Sequence, residues 1–325
     1  LSEEFAQSRF RGKQLFNSVY KQRADSFNNM KTLPIVFRDT LLEKFVLHPL
    51  LFIKKTGSDS ELTQKYLFQL STQEKIESVL MYEKNRVTLC VSTQVGCAVD
   101  CKFCATAKMG FIKNLTAGEI IDQYLIINNS IDKEITNIVF MGMGEPFLNY
   151  RQVINAAMLF NHSDGINLSS QRITISTVGI IPKIKQYSEE GHKYKLAISL
   201  NSNHQKQRVQ IMPISKTHSI NDLIKAVWHH YKKTKRLVTF EYVLMENVND
   251  SIADTERLIN LIGDLPCKVN VIPYNEIDGP FKRPSEEKIN KFVNQINNSN
   301  FIVTVRWSKG TDINSGCGQL AVLEP

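Results

Sequence analysis

Two hydrophobic rhythms divide this chain of 325 residues. Up to about residue 55, apolar positions such as Phe10, Leu15, Phe16, Val19 and Tyr20 recur at helical spacing among many charges. A second helix is expected from Val36 to Phe45. Residues 60 to 85 change character: TQKYLFQL and KIESVLMY read as two short strands separated by the polar STQE. From about residue 86 the pattern becomes strand, loop, helix, repeated. The strand candidates are VTLCVS (87–92), NIVFMGM (137–143), RITIST (172–177), KLAISL (195–200), LVTFEYVL (237–244), VNVIPY (269–274) and FIVTVRW (301–307). They are largely apolar and rich in β-branched residues, as strands of a parallel sheet covered on both faces should be. Helical stretches fall between them at 116–129, 150–161, 219–233, 251–263 and 285–298, and Thr116 with Glu119 makes a capping box at the start of the first. The reading is an α/β fold, a parallel sheet wound with helices over 87–325. It is preceded by a helical accessory segment (1–55) and a short β extension (56–86).

In such a fold, chemistry gathers at the carboxyl ends of the strands. The first of those loops holds three cysteines, the second Gly142-Met143-Gly144-Glu145, and the third begins at Ser176. The fourth carries Ser199-Leu200-Asn201 and the sixth Pro273-Tyr274-Asn275. Composition narrows the class. Hydrophobic residues make up 42%, enough for a sizeable core, yet no apolar run reaches the roughly 20 residues that cross a bilayer. The start, LSEEFAQSRFRGKQ, is too polar for a secretory leader, so a cytoplasmic location is expected. Forty Lys and Arg against 32 Asp and Glu leave a net charge of +8, which points to a polyanionic partner such as nucleic acid. Basic clusters with nearby aromatics lie at RFRGKQ (9–14), YKQR (20–23), HQKQR (204–208) and HHYKKTKR (229–236). Together they suggest a track for phosphates with salt-dependent binding, although each alone is an ordinary solvated helix face.

Six cysteines in a long chain of this kind argue for metal binding or catalysis over a disulfide scaffold. Cys97, Cys101 and Cys104 form C-x3-C-x2-C within QVGCAVDCKFCATAKMGF. On one helix they would share a face and could be plain core residues. Zinc wants four ligands, and no fourth cysteine or histidine follows nearby. Three thiolates on a four-iron cubane leave one iron without a protein ligand, an open corner suited to the amino and carboxylate groups of S-adenosylmethionine. Phe103, inside the motif, would shield such a cluster. Glycines at 142 and 144 allow close backbone approach, and Glu145 offers an acceptor for an ammonium group. Cys90 lies in the first strand, while Cys317 sits between Gly316 and Gly318, where a side chain is expected to be exposed. Cys267 has no context that suggests a role.

The cysteine spacing resembles the radical S-adenosylmethionine (radical SAM) superfamily. Nearly the whole chain resembles the RlmN/Cfr family of adenosine methyltransferases of ribosomal RNA. The likeness runs through FRGKQLFNSVYKQR, IESVLMYEKNRVTLCVSTQVGC, CKFCATAKMGF, MGMGEPFLN, ITISTVGIIP, LAISLN, IMPI, IPYN and VRWSKGTDINSGCGQL. It implies a partial (β/α)6 radical SAM barrel behind a small helical domain that holds folded RNA. It also implies a 4Fe-4S cluster on Cys97, Cys101 and Cys104, and S-adenosylmethionine contacts from Gly144, Glu145, Ser176, Ser199, Leu200, Asn201 and Asn275. Asn201 departs from the family, where histidine is usual, and Gly316 stands where alanine is common. The family methylates an unactivated adenine carbon, which cannot displace a sulfonium methyl directly. Cys317 would first take a methyl from one S-adenosylmethionine, and a second would supply the radical that lets this methyl reach the base. Cys90 would release the product, ending in a Cys90–Cys317 disulfide, and Glu77 falls where the family has a proton acceptor. On its residues alone, Glu77 reads as an ordinary strand carboxylate.

Pro146 after Gly144-Glu145, and QVGCAVDC, resemble the C2-methylating RlmN branch more than the C8-methylating resistance branch. The implied partners are 23S rRNA, tRNA as a second substrate, and a reductant protein such as flavodoxin. Beginning at Leu1 without most of the family's first helix, the chain reads as a fragment or an atypical start. The rival readings are a radical SAM protein acting on something other than nucleic acid, and a zinc-stabilised RNA-binding protein without catalysis.

Overall fold

The computed structural model describes residues 5, 7–60, 62–297 and 299–322. Residues 1–4 and 6 of the polar start, and Asn298 at the end of the helix expected over 285–298, lie outside the described residues. The chain opens with α1 (Arg9–Tyr20) and α2 (Ile35–Lys44), then runs into three antiparallel strands, β1 (Leu50–Gly57), β2 (Thr63–Leu70) and β3 (Lys75–Glu83). Residues 50–55 were expected to be helical and are instead strand. The cause is physical: β1 is an edge strand whose residues from Leu51 to Lys55 all point into exposed surroundings. It shows neither the alternation of a half-buried strand nor a helical stripe.

Next come β4 (Arg86–Cys90), the hairpin strand β5 (Gln94–Gly96), the short α3 (Ala105–Lys108), and β6 (Phe111–Asn114), which pairs with β5. The wound part continues through α4 (Ala117–Asn129), β7 (Asn137–Phe140), α5 (Tyr150–Asn161), β8 (Ile173–Thr177), α6 (Ile181–Glu189) and β9 (Lys195–Ser199). It closes with α7 (Gln205–Ile211), α8 (Ile220–Thr234), β10 (Val238–Leu244), α9 (Ile252–Ile262), β11 (Cys267–Pro273), α10 (Glu286–Ile296) and β12 (Ile302–Val305). The hairpin, α6 and α7 went unread in the sequence.

All the long strands join one ten-stranded sheet in the order β1-β2-β3-β4-β7-β8-β9-β10-β11-β12. From β4 onward every pairing is parallel and each strand lies beside its predecessor in the series. A sheet wound in one direction only keeps its crossover helices on one face and curls around the other. Six strand–helix units followed by β12 therefore give the expected partial barrel. The strands are apolar because both faces are covered: Leu89, Ile138, Phe140, Ile175, Ile198, Phe240 and Val269 are all inaccessible to solvent. The expected capping box is present, with Thr116 and Glu119 satisfying each other's backbone amides at the start of α4.

The N-terminal helices carry a small core of their own, Phe27, Met30, Leu33, Phe37 and Leu41. Several contacts join this segment to the barrel, among them Lys13 with Asp164 at 3.3 Å and Arg23 with Glu134 at 3.6 Å. The Phe16 ring meets His162 at 4.7 Å between centroids, and His48 Nδ1 lies 2.6 Å from the buried carboxylate of Asp122 on α4. That carboxylate also accepts the Leu50 amide at 3.0 Å, so one α4 side chain fixes where the first sheet strand begins.

Candidate active site

The three-cysteine loop is built by the β5–β6 hairpin. At Gly96 φ is +69°, and a Cβ there would sit 1.7 Å from the Gly110 carbonyl oxygen, so only glycine lets the two strands cross this closely. The crossing places the Cys97 amide 2.8 Å from that same oxygen, and a turn brings the Cys104 amide to the Cys101 carbonyl at 3.1 Å. Residues 97–104 contain no helix, which removes the reading of three core cysteines on one helical face. Phe103 is buried beside Met212, Met245 and Tyr274.

Cys97, Cys101 and Cys104 line one cavity together with Gly144, Glu145, Ser199, Asn201, Cys90 and Cys317. Its non-protein space is about 930 Å³, open solvent at the mouth included. Among the described residues no three His, Cys, Asp or Glu side chains converge tightly enough for a single metal ion. Three thiols on one cavity lining can supply three ligands of an iron–sulfur cluster, one fewer than a structural zinc needs. Burial pushes the Cys97 thiol up to about 12 and raises Cys101 and Cys104 as well, so loading a metal group here displaces protons.

The glycine loop after β7 forms the facing wall. Gly144 has φ +100°, and its Cα approaches Gln94 so closely that a Cβ would lie 2.5 Å from the Gln94 Cβ. Gln94 in turn accepts the Glu145 amide at 2.8 Å and donates to Asn114 at 2.8 Å, locking this loop to the cysteine hairpin. The Glu145 carboxylate accepts the amides of Phe147 and Val178, each at 2.9 Å, and burial lifts it to about 7. The Thr177 side chain hydrogen-bonds the same carboxylate, which leaves about one of its roughly four lone-pair positions for a ligand.

The carboxyl ends of β8 and β9 complete the wall. Ser199 and Asn201 line the cavity, whereas Ser176 and Leu200 are buried behind it and do not. Asn201 has φ +56°, a left-handed conformation that asparagine tolerates better than most residues. Its Oδ1 accepts the Val243 amide at 3.0 Å, so part of its amide is committed to the protein. Asn275 is buried, donates from Nδ2 to the Cys317 carbonyl at 2.9 Å, and its Oδ1 has no partner among the described residues.

The other two cysteines that line the cavity arrive from opposite ends of the barrel sequence. Cys90 ends β4, and burial drives its thiol up to about 12. Cys317 lies on the C-terminal loop, exposed at the cavity mouth, with its thiol raised to about 11. Cys267 is buried at the start of β11, outside the cavity lining. Glu77 on β3 is buried and does not line the cavity. Its carboxylate pairs with Lys65 at 3.0 Å and accepts the Ala321 amide at 3.2 Å, and burial raises it despite Lys65.

Residues 91–259 match the radical SAM superfamily profile. The dual-specificity RNA methyltransferase RlmN of Desulfosudis oleivorans is 42% identical over 316 residues, which are 96% of this chain and 85% of that protein. An RlmN from Dictyoglomus turgidum is 41% identical over 318 residues, 97% of this chain and 91% of its own. Among solved structures, a radical SAM methyltransferase from Sphaerobacter thermophilus superposes with a TM-score of 0.95 at 40% identity, covering 98% of this chain and 95% of the other. The chain belongs to the RlmN family of radical SAM RNA methyltransferases.

For an RlmN-family enzyme the cluster and S-adenosylmethionine are the implied cofactors, and the three thiols lining one cavity suit that cluster. One basic cluster read as an RNA track needs correction. Arg208, the last residue of HQKQR, is fully buried. Its guanidinium donates to the carbonyls of Leu200, Val178 and Ser199 at 2.9, 2.7 and 3.1 Å and to Ser215 Oγ at 2.7 Å. It therefore ties together the two strand ends that wall the cavity and is unavailable to phosphate. His230 in HHYKKTKR is likewise buried, hydrogen-bonded to Ser188 at 2.9 Å. The outer charges of the clusters, Arg9, Lys13, Lys21, Lys232 and Lys235 among them, stay exposed. Sequence reasoning missed Gln94, Arg208 and Arg306 as parts of the site, because each acts through contacts with residues remote in the chain.

Proposed function

We propose that this RlmN-family enzyme methylates C2 of adenosine in 23S rRNA and in tRNA, with Cys317 carrying the methyl group in transit. What supports the reading most is one juxtaposition: Cys317 and Cys90 share the cavity of Cys97, Cys101, Cys104 and Glu145. A radical SAM site alone has no use for that second pair of thiols. The relatives' name, dual-specificity RNA methyltransferase, favours two RNA substrates, and Pro146 after Gly144-Glu145 favours C2 over C8.

The residues divide the work as follows. When bound, the 4Fe-4S cluster on Cys97, Cys101 and Cys104 supplies the electron that splits S-adenosylmethionine. Glu145, with a lone-pair position to spare and its backbone fixed by Gln94, receives the ammonium group. Gly144 allows the backbone to approach, Ser199 and Asn201 present polar groups to the cavity, and Asn275 adds an unpaired oxygen from behind. Ser176 and Leu200 act through the backbone of the strand ends that they form. Cys317 as thiolate takes a methyl by displacement from a first S-adenosylmethionine, and a second is consumed for each methyl delivered. Glu77 takes up the adenine proton, and Cys90 closes on Cys317 as the product leaves. A flavodoxin-type protein delivers the electrons in the cytoplasm, and exposed lysines and arginines hold the RNA phosphates.

The test is nucleoside mass analysis of 23S rRNA and tRNA after anaerobic incubation with the reconstituted enzyme. The expected product in both is 2-methyladenosine. Finding 8-methyladenosine, or no methylated adenosine at all, would overturn the assignment.

A further inference from the structure

Side chains alternate along a strand, so every second residue below those that line the catalytic cavity shares their face. On β9, counting down from Ser199 leads through Ala197 to Lys195; on β4, counting down from Cys90 leads through Thr88 to Arg86. Glu241 is in register with both Ser199 and Asn270, so Lys268, two places below Asn270, turns to the same face. Lys195, Lys268 and Arg86 therefore stand on the inner face near the amino ends of their strands, away from the cysteine loop. At 3.3 Å per residue, Lys195 begins about 13 Å from Ser199. All three cations are exposed. Arg86 pairs with Glu83, whereas among the described residues neither lysine has an ion-pair partner. Partial burial, then the charges of Lys268 and Arg86, push the Lys195 ammonium below the ordinary lysine range. Like charges gathered in this way oppose one another until an anion comes between them.

The rim around this mouth has the same sign. Helices α6 and α8 both end at this level, because each leads back into the start of a strand. Arg236 donates to the Lys193 carbonyl at 3.1 Å, which fastens the turn after α6 to the turn after α8. That bond sets Lys193, Lys235 and Arg236 at the entrances of β9 and β10, beside Lys195. The nearby acids are mostly engaged: Glu189 with His229 and Lys233, and Glu190 with His192. Asp132 and Asp264, in the turns before β7 and β11, have no ion-pair partner among the described residues. The rim also reaches α1. Lys13 meets Asp164 in the turn before β8, and Arg23 meets Glu134 in the turn before β7. The basic helix α1 thus docks on this same end of the barrel, and the sheet order β7-β8-β9-β10-β11 carries the charge from there to Lys268.

We propose that this amino-end face, from α1 to the mouth of Lys195 and Lys268, is a second contact surface for RNA phosphates, separate from the catalytic cavity. It extends the reading of RNA as the substrate and rests on it. Three converging cations would serve a single phosphate group. A rim of further cations that runs on to α1 fits a chain of phosphates better, spaced along one RNA. Because the surface lies at the end of the barrel remote from Cys317, one RNA engages both only if it is long enough to pass around the protein. The consequence is selectivity for large folded RNA over a short piece carrying the same adenosine.

The experiment compares two probes on cluster-loaded protein under anaerobic conditions, across a series of salt concentrations. One is a long 23S rRNA fragment around the methylated adenosine, and the other is a short hairpin cut from it. The parent should bind the long fragment more tightly and with the steeper dependence on salt. Lys195→Gln with Lys268→Gln should weaken the long fragment about tenfold at physiological salt and make its log–log salt slope shallower by about 1–2. The hairpin should change by less than about twofold. Thermal unfolding of the same variant should show a Tm no lower than the parent's, since like charges have been removed. Unchanged affinity for the long fragment overturns the proposal. Equal losses for both probes overturn it too, by placing the lysines on the path into the catalytic cavity. A Tm rise with inorganic phosphate that needs both lysines, alongside unchanged RNA affinity, would assign the mouth to a free anion instead. Nucleoside analysis of the parent's products tests the underlying reading apart from this: no methyl on either RNA sinks that reading, while the binding comparison still decides the second surface.

Discussion

Two loops bring sulfur to the same cavity, and they are held in opposite ways. The loop of Cys97, Cys101 and Cys104 is shaped by its own neighbourhood, through the Cys97–Gly110 and Cys104–Cys101 backbone bonds. Its tie to the rest of the barrel runs from the Lys102 amide to the Ile211 carbonyl at the end of α7, 2.9 Å away. The Cys317 loop also turns on itself, at Ser315–Gly310 and Gln319–Gly316, but its position comes from afar. Asp312 accepts the Asp59 amide, Lys65 reaches Asn314, Asn275 holds Cys317, Ala105 and Thr106 hold Gly318 and Leu320, and Glu77 holds Ala321. A cluster site has to be complete before its metal arrives, so local definition suits it. A loop whose sulfur must meet a methyl donor, then a base, then Cys90 is better placed by many separate contacts, each worth about 1 kcal/mol.

The sharpest way to separate the two loops is to remove one sulfur from each. Cys101→Ala should abolish cluster loading and with it every reaction. Cys317→Ala should lower RNA methylation about a thousandfold or more while leaving reductive cleavage of S-adenosylmethionine measurable as 5′-deoxyadenosine. If Cys317→Ala methylates RNA normally, the second loop has no chemical role and the contrast drawn here fails. Next in size is Arg208, which supports the first loop through α7. Arg208→Ala strands four buried acceptors and leaves a void, and should cost about 4 kcal/mol, seen as a fall in Tm of roughly 6 °C with reduced cluster retention. A change of only a degree or two would mean that α7 does not depend on it.

The contrast also explains what could be read from the chain alone. The first loop was legible because its determinants are packed into a few positions, three cysteines at fixed spacing, although the glycine-dependent hairpin that carries them was not read. The wound sheet was legible for a similar reason, since each buried strand announces itself as an apolar run. Strand β1 was not, because its outward side chains carry no periodic signal. Arg208 sat among polar residues in HQKQR and looked like a solvated cation, yet the ends of β8 and β9 fold around it. That Arg306 lines the same cavity as Cys90, or that Asn275 spends its amide on Cys317, depends on how the two ends of the barrel curl toward each other, which no local pattern encodes.

Weaker contacts test whether the second loop is held as a sum. Gln319 accepts the Gly316 amide at 3.0 Å and donates to the Glu276 carbonyl at 2.9 Å, bracing Cys317 from both sides. Gln319→Ala should cost about 1–2 kcal/mol and slow methylation of Cys317 about tenfold, with cluster content unchanged. Equal losses in cluster and methylation would show that the loops are not independent.

Glu77 gives the smallest effect and the most informative sign. Burial raises its folded pKa above the ordinary carboxylate value even with Lys65 beside it, so between those two values the folded chain binds more protons than the unfolded one. Stability from this group is therefore present at low pH and lost as pH rises through the window. Glu77→Gln keeps the shape and an acceptor for the Ala321 amide without the buried charge. It should match the parent near pH ~4.5 and exceed it slightly in urea midpoint at neutral pH, the difference growing with pH. Methylation should fall in the same variant if Glu77 takes the adenine proton. A variant that loses stability at neutral pH would mean that the Lys65 pair outweighs the burial of the charge. The carboxylate would then be kept as a strut for the Cys317 loop, with no chemistry needed to account for it.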